Sequence, residues 1–448
     1  MKYHLLGISI CTALCIGLGG ITPLHAQEQT SDLVLHYNRP ATYFEEALVI
    51  GNGTMGAIVY GGTERDVLSL NDITLWTGEP DRTVTTPDAY KSIPVIRDLL
   101  DKEDYRGADR EQRKVQGHYS ENYQPLGTLT LSYMGEGAQI TSYRRWLNIS
   151  NATARTEYLK DGARMQTDYF ASAPDSVIVV RLQSDSPKGI QALLTFDSQL
   201  PHATSARGNE ITSDGYAAYH SYPVYFDLVK NKHLYDPERG VHFRTLIKVL
   251  TPDAAQVKSY PSGELKIDGA KEALILIANV TSFNGFDKDP VKEGRDYRNL
   301  VAQRMAKASK KSYEALREAH VADYKHFFDR VELDLGETDS AISALPTDRQ
   351  LLEYTDKHQR NPELEVLYFQ YGRYLLISSS RTPGVPANLQ GLWNERLLPP
   401  WSSNYTSNIN LQENYWAAET GNLSELHQPL MDFIANLRHT GEACQGIL

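Results

Sequence analysis

Residues 386–416 read PANLQGLWNERLLPPWSSNYTSNINLQENYW and combine aromatic side chains with neutral amides at high density. The aromatic residues are Trp393, Trp401, Tyr405, Tyr415 and Trp416, and the amides include Asn388, Gln390, Asn394, Asn404, Asn408, Asn410, Gln412 and Asn414. This mixture is too polar for a core and too aromatic for an ordinary loop. A sugar ring offers C–H patches that stack on aromatic faces and hydroxyls that pair with amides. The stretch therefore predicts a sugar-binding surface around which the chain is organised.

Helical periodicity surrounds this stretch within residues 349–448. Residues 362–380 place apolar side chains on one helical face, residues 410–420 predict a second helix, and Pro429 suits the first turn of a third. Helices joined by loops predict the beginning of an all-α array. A closed α/α toroid needs about a dozen helices of roughly ten to fourteen residues each. Residues 349–448 are too few for that, so the array is expected to be incomplete.

The earlier part of the chain is strand-like. Runs of β-branched and aromatic residues recur between Gly, Pro, Asn and Asp at residues 57–60, 126–133, 167–170, 176–182, 191–196, 242–249 and 274–280. This spacing predicts a large antiparallel β-sandwich, which we assign to residues 27–287. Residues 90–113 predict a charged helical insertion. The Gly-Asn-Gly run at residues 51–53 predicts a tight turn, because it lacks the lysine and the following helix of a phosphate loop.

Composition changes near residue 288, where Ala, Lys, Arg and Glu begin to dominate. Apolar positions at helical spacing within residues 291–328 predict one or two long helices. Residues 331–336 predict a short strand. We assign residues 288–348 to a helical linker, so the expected class is a multidomain β plus α protein.

Composition and the first residues indicate the compartment and exclude several partners. The 448-residue chain has a net charge of −11 and no basic run, which argues against nucleic acid. Residues 1–26 have the basic start, apolar run and small final residue of a secretory signal peptide. Cleavage would leave Cys444 as the only cysteine and no membrane span. A secreted or periplasmic bacterial protein without disulfides is therefore expected.

Several motifs, taken in order, carry a family resemblance. They are YNRPA (37–41), EEAL (45–48), IGNGTMGA (50–57), SLNDITLWTG (69–78), YQPLG (123–127), YRRWL (143–147) and the stretch 386–416. With these motifs the sequence resembles glycoside hydrolase family 95, which is typified by α-L-fucosidases and includes α-L-galactosidases. The resemblance implies an N-terminal antiparallel β-super-sandwich, a helical linker and an (α/α)6 barrel with the active site, followed by a C-terminal β domain. Residues 349–448 would then be the first part of a truncated catalytic barrel.

The same resemblance implies an exo-acting inverting hydrolase that releases terminal α-L-fucose or α-L-galactose from glycans without a metal or cofactor. Inversion needs a general acid and a base about 6.5–9.5 Å apart. In the family, two Asn side chains two residues apart hold the attacking water together with an Asp. Asn408 and Asn410 match that pair, and their amide oxygens would aim the water. The resemblance places the partner Asp and the acid Glu outside this sequence, so the chain is expected to bind sugar weakly or not at all and to be inactive.

Three further residues are expected to contact substrate, namely Thr406, Gln390 and Trp393. Fucose-specific relatives resemble one another in having His at the position of Thr406. The smaller Thr leaves room for the extra C6 hydroxyl of L-galactose, and its own hydroxyl can bond there. Glu413 stands where the family pattern has an apolar residue, and it could face either solvent or the pocket.

Structural alternatives stay open for each of these residues. Asn408 and Asn410 could cap a helix, and the tryptophans could be core aromatics. Asn71, Asp72 and Trp76 could form a loop over the active site or a buried turn. Four glutamates are tempting as acids but lack a supporting carboxylate: Glu363, Glu365, Glu395 and Glu419. Functional alternatives are a non-catalytic carbohydrate-binding remnant and a relative of sugar phosphorylases.

Overall fold

A computed structural model describes residues 33–80, 88–135, 137–252 and 256–445. The proposed signal peptide, residues 1–26, lies outside the described residues. Within the described ranges the strands are β1 (Val34–Tyr37), β2 (Leu48–Gly51), β3 (Met55–Val59), β4 (Arg65–Asp72), β5 (Gly127–Tyr133), β6 (Ile140–Asn148), β7 (Thr153–Lys160), β8 (Ala163–Ser172), β9 (Val177–Ser184), β10 (Ile190–Asp197), β11 (His202–Arg207), β12 (Glu210–Tyr216), β13 (His220–Ser221), β14 (His233–Leu234), β15 (His242–Leu250), β16 (Gln256–Ser259), β17 (Leu265–Ala270) and β18 (Glu272–Thr281).

These strands form two large antiparallel sheets. The first has the order β1-β6-β7-β8-β9-β18-β15-β12-β11, and the second has the order β16-β17-β10-β5-β4-β3-β2. β13 and β14 pair separately. One hydrophobic core runs between the two large sheets. The antiparallel sandwich predicted from the spacing of the strand-like runs is therefore confirmed.

Burial along individual strands shows how the sheets are layered. In β10, alternate residues are buried, because only one face of this strand meets the core. In β18 nearly every residue is buried. The second face of β18 lies under two helices, so a strand covered on both sides is apolar throughout.

The helices in the described ranges are α1 (Ser92–Asp101), α2 (Tyr105–Gln112), α3 (Tyr297–Ala308), α4 (Tyr313–Phe328), α5 (Ser340–Ser343), α6 (Thr347–Asp356), α7 (Pro362–Ser379), α8 (Asn410–Thr420) and α9 (Gln428–Gln445). α1 and α2 form the helical insertion predicted at residues 90–113. α3 and α4 are the two helices predicted within residues 291–328. The side chains of Asp296 and Ser312 cap their N-termini.

α3 and α4 are packed on the outer face of the first sheet. Val301, Met305 and Leu316 join a second apolar cluster with residues of β8, β9, β15 and β18. The prediction of a short strand at residues 331–336 is wrong. That segment has no strand partner in the described part of the chain, and the carbonyl oxygen of Val331 accepts a hydrogen bond from the side chain of Gln370 on α7 instead.

The last part of the described chain is helical and lies against the sandwich. Asn361 caps α7 by accepting a hydrogen bond from the Leu364 amide at 2.9 Å, and Pro362 occupies the first turn. α7 contacts α4, α8 and β2. A β-sandwich followed by a helical part is thus the observed architecture. None of the helices within the described ranges combines the length and apolarity needed to cross a membrane.

Candidate active site

Residues 386–394, here called the fixed segment, are attached to the hairpin formed by β2 and β3. The Trp393 indole N–H donates to the carbonyl oxygen of Ile50 at 2.9 Å, and the Tyr123 hydroxyl donates to the carbonyl oxygen of Leu392 at 2.7 Å. Asn71 and the Asn394 backbone exchange two hydrogen bonds of 2.7 and 3.1 Å. Since buried polar groups need partners, these bonds fix the segment against the sandwich.

Glycines in the hairpin allow this close approach. A Cβ atom on Gly51 would lie 2.5 Å from the carbonyl oxygen of Ser378, and one on Gly56 would lie 2.8 Å from Leu392. Gly53 adopts a left-handed φ of 80° and donates its N–H to Ser378 at 2.7 Å. The predicted tight turn at residues 51–53 is present. Gly51 and Gly53 also contact Ser378 at the end of α7, a contact that the sequence alone did not indicate.

The tryptophans of the stretch have different environments. Trp393 is 5% exposed and belongs to the core, whereas Trp401 and Trp416 are 68% and 65% exposed. Trp76 donates to the Ile73 carbonyl oxygen at 2.8 Å and stacks on Tyr405 with ring centroids 4.9 Å apart. Asn71 and Asp72 beside it are fully buried. The buried alternative is therefore the one observed: β4 ends with Asn71 and Asp72 in the core, a turn follows at residues 73–74, and Trp76 contacts Tyr405 of the stretch 386–416.

A cavity of about 440 Å³ opens between the fixed segment, α7 and α8. Gln390, Trp393 and Asn414 line it together with apolar side chains of α7. The Gln390 side-chain oxygen is buried without a hydrogen-bond partner in the described residues. Asn414 donates to the Asn388 carbonyl oxygen at 2.9 Å. Gln390 and Trp393 thus share one cavity with Asn414 as an additional lining amide, whereas Thr406, Asn408 and Asn410 do not line it.

Residues 401–409, here called the strained loop, have an unusual backbone. Left-handed φ values occur at Trp401 (55°), Ser402 (59°), Ser403 (41°), Thr406 (44°) and Ile409 (84°). Such values cost of order 1–3 kcal/mol for non-glycine residues and are least tolerated by β-branched ones. Bonds to the rest of the protein hold the loop, among them Tyr123 N–H to the Ser402 carbonyl oxygen at 3.0 Å. The strain is concentrated where the water-binding pair was predicted.

Asn408 and Asn410 do not cap α8. The N-cap residue is Ile409, and no side chain caps this helix. Asn408 is exposed, and Asn410 is the half-buried first residue of the helix. Neither side-chain amide forms a hydrogen bond within the described part of the protein. Both amides therefore remain available to a ligand or a water molecule.

Thr406 precedes this pair on the same loop. Its hydroxyl donates to the Asn404 side-chain oxygen, which also accepts the Thr406 N–H at 2.9 Å. A hydroxyl that donates one hydrogen bond keeps its lone pairs for accepting another. Glu413 is exposed on α8, three residues after Asn410, so the two lie on neighbouring positions of the helix surface.

The four glutamates considered as candidate acids form hydrogen bonds with other residues of the protein. Glu395 accepts the Tyr60 hydroxyl, and burial together with this carboxylate raises the pKa of Tyr60. Glu419 accepts hydrogen bonds from Ser424 and His427, which lower the pKa of Glu419. Glu363 and Glu365 pair with Thr338 and Tyr354, respectively. Across the described ranges, no group of three or more His, Cys, Asp or Glu side chains is placed to hold a metal ion.

Two family models match the chain. Residues 35–285 match the glycosyl hydrolase family 65 N-terminal domain, which covers more than half of the 448 residues, and residues 312–446 match the glycosyl hydrolase family 95 catalytic domain. The sandwich and the helical part therefore define a glycoside hydrolase. Residues 312–446 carry the catalytic domain of glycoside hydrolase family 95, and the resemblance carried by the motifs is confirmed.

Curated relatives agree with this assignment. Alpha-L-fucosidase 2 of Arabidopsis thaliana is 33% identical over 93% of this chain and 50% of that protein. Probable alpha-fucosidase A of Aspergillus niger is 32% identical over 88% of this chain and 48% of that protein. The chain thus spans about half the length of the curated relatives it matches. A putative kojibiose phosphorylase from the human microbiome covers 81% of this chain and 44% of its own at 11% identity and a TM-score of 0.45, too low to support an argument.

Proposed function

We propose that the protein is a member of the exo-acting, inverting glycoside hydrolases that release terminal α-L-fucose or α-L-galactose from glycans. The observation that carries this proposal is that the side-chain amides of Asn408 and Asn410, at the end of a strained loop, form no hydrogen bond with the described residues. Strained loops cluster at sites where side chains are positioned for function. The names of the relatives support the α-fucoside class of substrate.

In this proposal the two amides hold the attacking water. An amide does not titrate usefully, but its oxygen accepts a hydrogen from water and orients a lone pair towards the anomeric carbon. The reaction also needs an acid for the leaving oxygen and a base for the water, about 6.5–9.5 Å apart. Glu413 is the nearest uncommitted carboxylate along α8, and one carboxylate cannot fill both roles in an inverting enzyme. The 448 residues are therefore proposed to bind sugar weakly and to turn over no substrate.

Sugar preference is proposed to depend on Thr406. The small side chain leaves space beside the sugar C6 atom, and its free lone pairs can accept the C6 hydroxyl of L-galactose, which L-fucose lacks. Gln390 and Trp393 would contact the sugar from the cavity that they share. The unpartnered Gln390 oxygen suits a sugar hydroxyl as donor.

The helical part is proposed to be the start of an (α/α)6 barrel at residues 349–448, joined to a sandwich at residues 27–287 by the linker 288–348. Apolar side chains on the outer surfaces of α7, α8 and α9 support this interpretation. Tyr368, Trp416, Ile434 and Leu437 are exposed in the described structure. In a barrel, such faces are covered by neighbouring helices.

Sugar binding and turnover test the proposal separately. Saturation-transfer NMR should detect weak binding of L-fucose and L-galactose to the chain, and Asn408→Ala and Asn410→Ala should abolish it. Asn299→Ala, which removes an exposed amide on α3, is the matched control. Binding that survives both loop substitutions would overturn the assignment of the amides.

Turnover is measured with 4-nitrophenyl α-L-fucoside and α-L-galactoside. No nitrophenol release is expected from these 448 residues. Release with an inverted sugar anomer would support the hydrolase and disprove the proposed inactivity. Sugar binding without release is also what a carbohydrate-binding remnant would give, whereas release only with inorganic phosphate would favour a phosphorylase.

A further inference from the structure

A second cavity lies between the sandwich and the beginning of the strained loop. Val224 and Tyr225, from the connection between β13 and β14, form one wall, and Arg396 with residues 398–401 forms the other. Its volume is about 440 Å³. Small-molecule sites range over roughly 300–1,000 Å³, so the space suits a ligand of that size. We call it the Trp401 cavity.

The walls of the Trp401 cavity expose aromatic rings. Trp401 is 68% exposed and Tyr225 is 59% exposed. Large aromatic side chains left in water forgo the free energy that burial would provide. The left-handed backbone of Trp401, φ 55°, belongs to the strained loop, so this ring is presented by a conformation that is itself costly.

The opposite wall is held by contacts among aromatic residues. Tyr119 meets Tyr225 edge to face with ring centroids 6.2 Å apart, and it also contacts Phe226 at 5.2 Å. Phe226 stacks on Tyr222 at 5.1 Å. These contacts position the loop that carries Tyr225, while Pro399 and Pro400 restrict the backbone of the facing segment.

Arg396 adds polar donors to the same cavity. Its backbone N–H donates to the Asn394 side-chain oxygen at 2.9 Å, and its carbonyl oxygen accepts from the Asn394 side-chain nitrogen at 2.9 Å. The guanidinium forms no ion pair or hydrogen bond within the described residues. A guanidinium carries five N–H donors in a fixed plane, and Arg396 lines the same cavity as Tyr225 and Trp401.

We propose that the Trp401 cavity binds a pyranose ring of the glycan that carries the terminal sugar. Two aromatic walls suit the C–H faces of such a ring, and the Arg396 donors suit its hydroxyl oxygens. Trp401 lies five residues before Thr406 in the strained loop that also bears Asn408, so the ring bound here is proposed to belong to the same glycan as the terminal sugar. This inference rests on the proposed function and extends it to recognition of the leaving group.

A sugar explains the cavity better than an apolar protein segment does. Purely apolar partners need aliphatic surface and no free charge, because burying an unpaired guanidinium is costly. Arg396 would be buried beneath such a segment, whereas the hydroxyls of a sugar would satisfy it and leave its charge near water.

Lactose is a suitable probe because its galactose ring has one continuous C–H face and it contains neither L-fucose nor L-galactose. We expect the 448-residue chain to bind lactose weakly, with changes in tryptophan fluorescence and in saturation-transfer NMR. Trp401→Ala should weaken lactose binding roughly tenfold. Trp416→Ala is the matched control, because Trp416 is equally exposed at 65% but lies outside the cavity.

Tyr225→Ser removes the opposite wall and should also weaken lactose binding, so the test does not depend on the folding of a single variant. Arg396→Gln should weaken it less. The proposal is overturned if lactose does not bind, if Trp416→Ala is as damaging as Trp401→Ala, or if the chain forms a dimer that Trp401→Ala abolishes.

L-fucose binding separates this proposal from the proposed function. Trp401→Ala should leave L-fucose binding intact, while Asn408→Ala should remove it and leave lactose binding intact. Loss of lactose binding in the cavity variants would support the Trp401 cavity even if L-fucose bound nowhere, in which case only the assignment of the amides would fail.

Discussion

The fixed segment and the strained loop are neighbours in one stretch of similar composition, yet the fold uses them in opposite ways. In residues 386–394, Trp393 and Asn394 are buried and bonded to the sandwich. In residues 401–409, Trp401 is exposed and Asn408 forms no hydrogen bond with the described residues. Aromatic and amide side chains of one stretch therefore serve two purposes, attachment of the stretch to the sandwich in one segment and exposure to solvent in the other.

Among the substitutions that test this contrast, Trp393→Ala has the largest expected effect on the free energy of unfolding. Removing a core aromatic residue costs about 3–5 kcal/mol, because the transfer free energy is lost and a cavity remains. Trp401→Ala should change the free energy of unfolding by less than about 0.5 kcal/mol, since surface substitutions have small effects. Urea denaturation measures both. Equal losses would show that the two tryptophans do not differ in the way described.

Asp66 tests the sandwich that the fixed segment is attached to. It is fully buried on β4, where it accepts hydrogen bonds from the Tyr169 hydroxyl and from the Gly62 N–H, the latter at 3.0 Å. Burial raises the pKa of Asp66 from 3.8 to about 6. The native state therefore binds this proton more tightly than the unfolded chain, and the stability contributed by protonation is lost as the pH rises from about 4 to about 6.

Asp66→Asn should remove that loss, about 3 kcal/mol. The measurement is the difference in unfolding free energy between Asp66→Asn and the wild type at pH 4 and pH 7. The variant should gain relative to the wild type at pH 7. A pH-independent difference would show that the Asp66 carboxylate does not titrate in this range.

Amide substitutions compare the two regions directly. Asn394→Ala should cost about 1–3 kcal/mol, because it removes the side-chain bonds to Tyr123 and Arg396 and leaves buried groups unpaired. Asn408→Ala should change stability by less than about 0.5 kcal/mol while abolishing L-fucose binding. Thermal unfolding and NMR titration provide the two readouts. Similar destabilisation by both variants would contradict the contrast.

The smallest expected effect concerns backbone strain. Ile409→Gly relieves a left-handed φ of 84° and should stabilise the fold by up to about 1 kcal/mol, offset partly by the entropy of glycine in the unfolded chain. Ile409→Val keeps the β-branch and should give no gain. Sugar binding should weaken in Ile409→Gly, because Asn410 is then held less firmly. A destabilised Ile409→Gly would indicate that packing, not strain, dominates at this residue.

Local sequence patterns predicted the elements of the fold well. Runs of β-branched and aromatic residues between turn residues gave seven strands of the sandwich (β3, β5, β8, β9, β10, β15 and β18), and helical spacing gave α3, α4 and α7. Other strands, such as β6, β7, β11 and β12, were not singled out. The prediction at residues 331–336 was wrong, because there a strand-like run meets a helix side chain instead of another strand. A strand needs a partner, and its own sequence does not supply one.

The sequence by itself thus determined the family, the order of strands and helices, and the pair Asn408 and Asn410 as candidates. Only the tertiary structure decided that Trp393 is buried while Trp401 is exposed. It also decided that Gly51, Gly53 and Gly56 contact the helical part closely, and that Tyr225 and Trp401 line the same cavity. The physical reason is distance along the chain. The hydrogen bond from Trp393 to Ile50 joins residues 343 positions apart, and no local periodicity encodes such a contact.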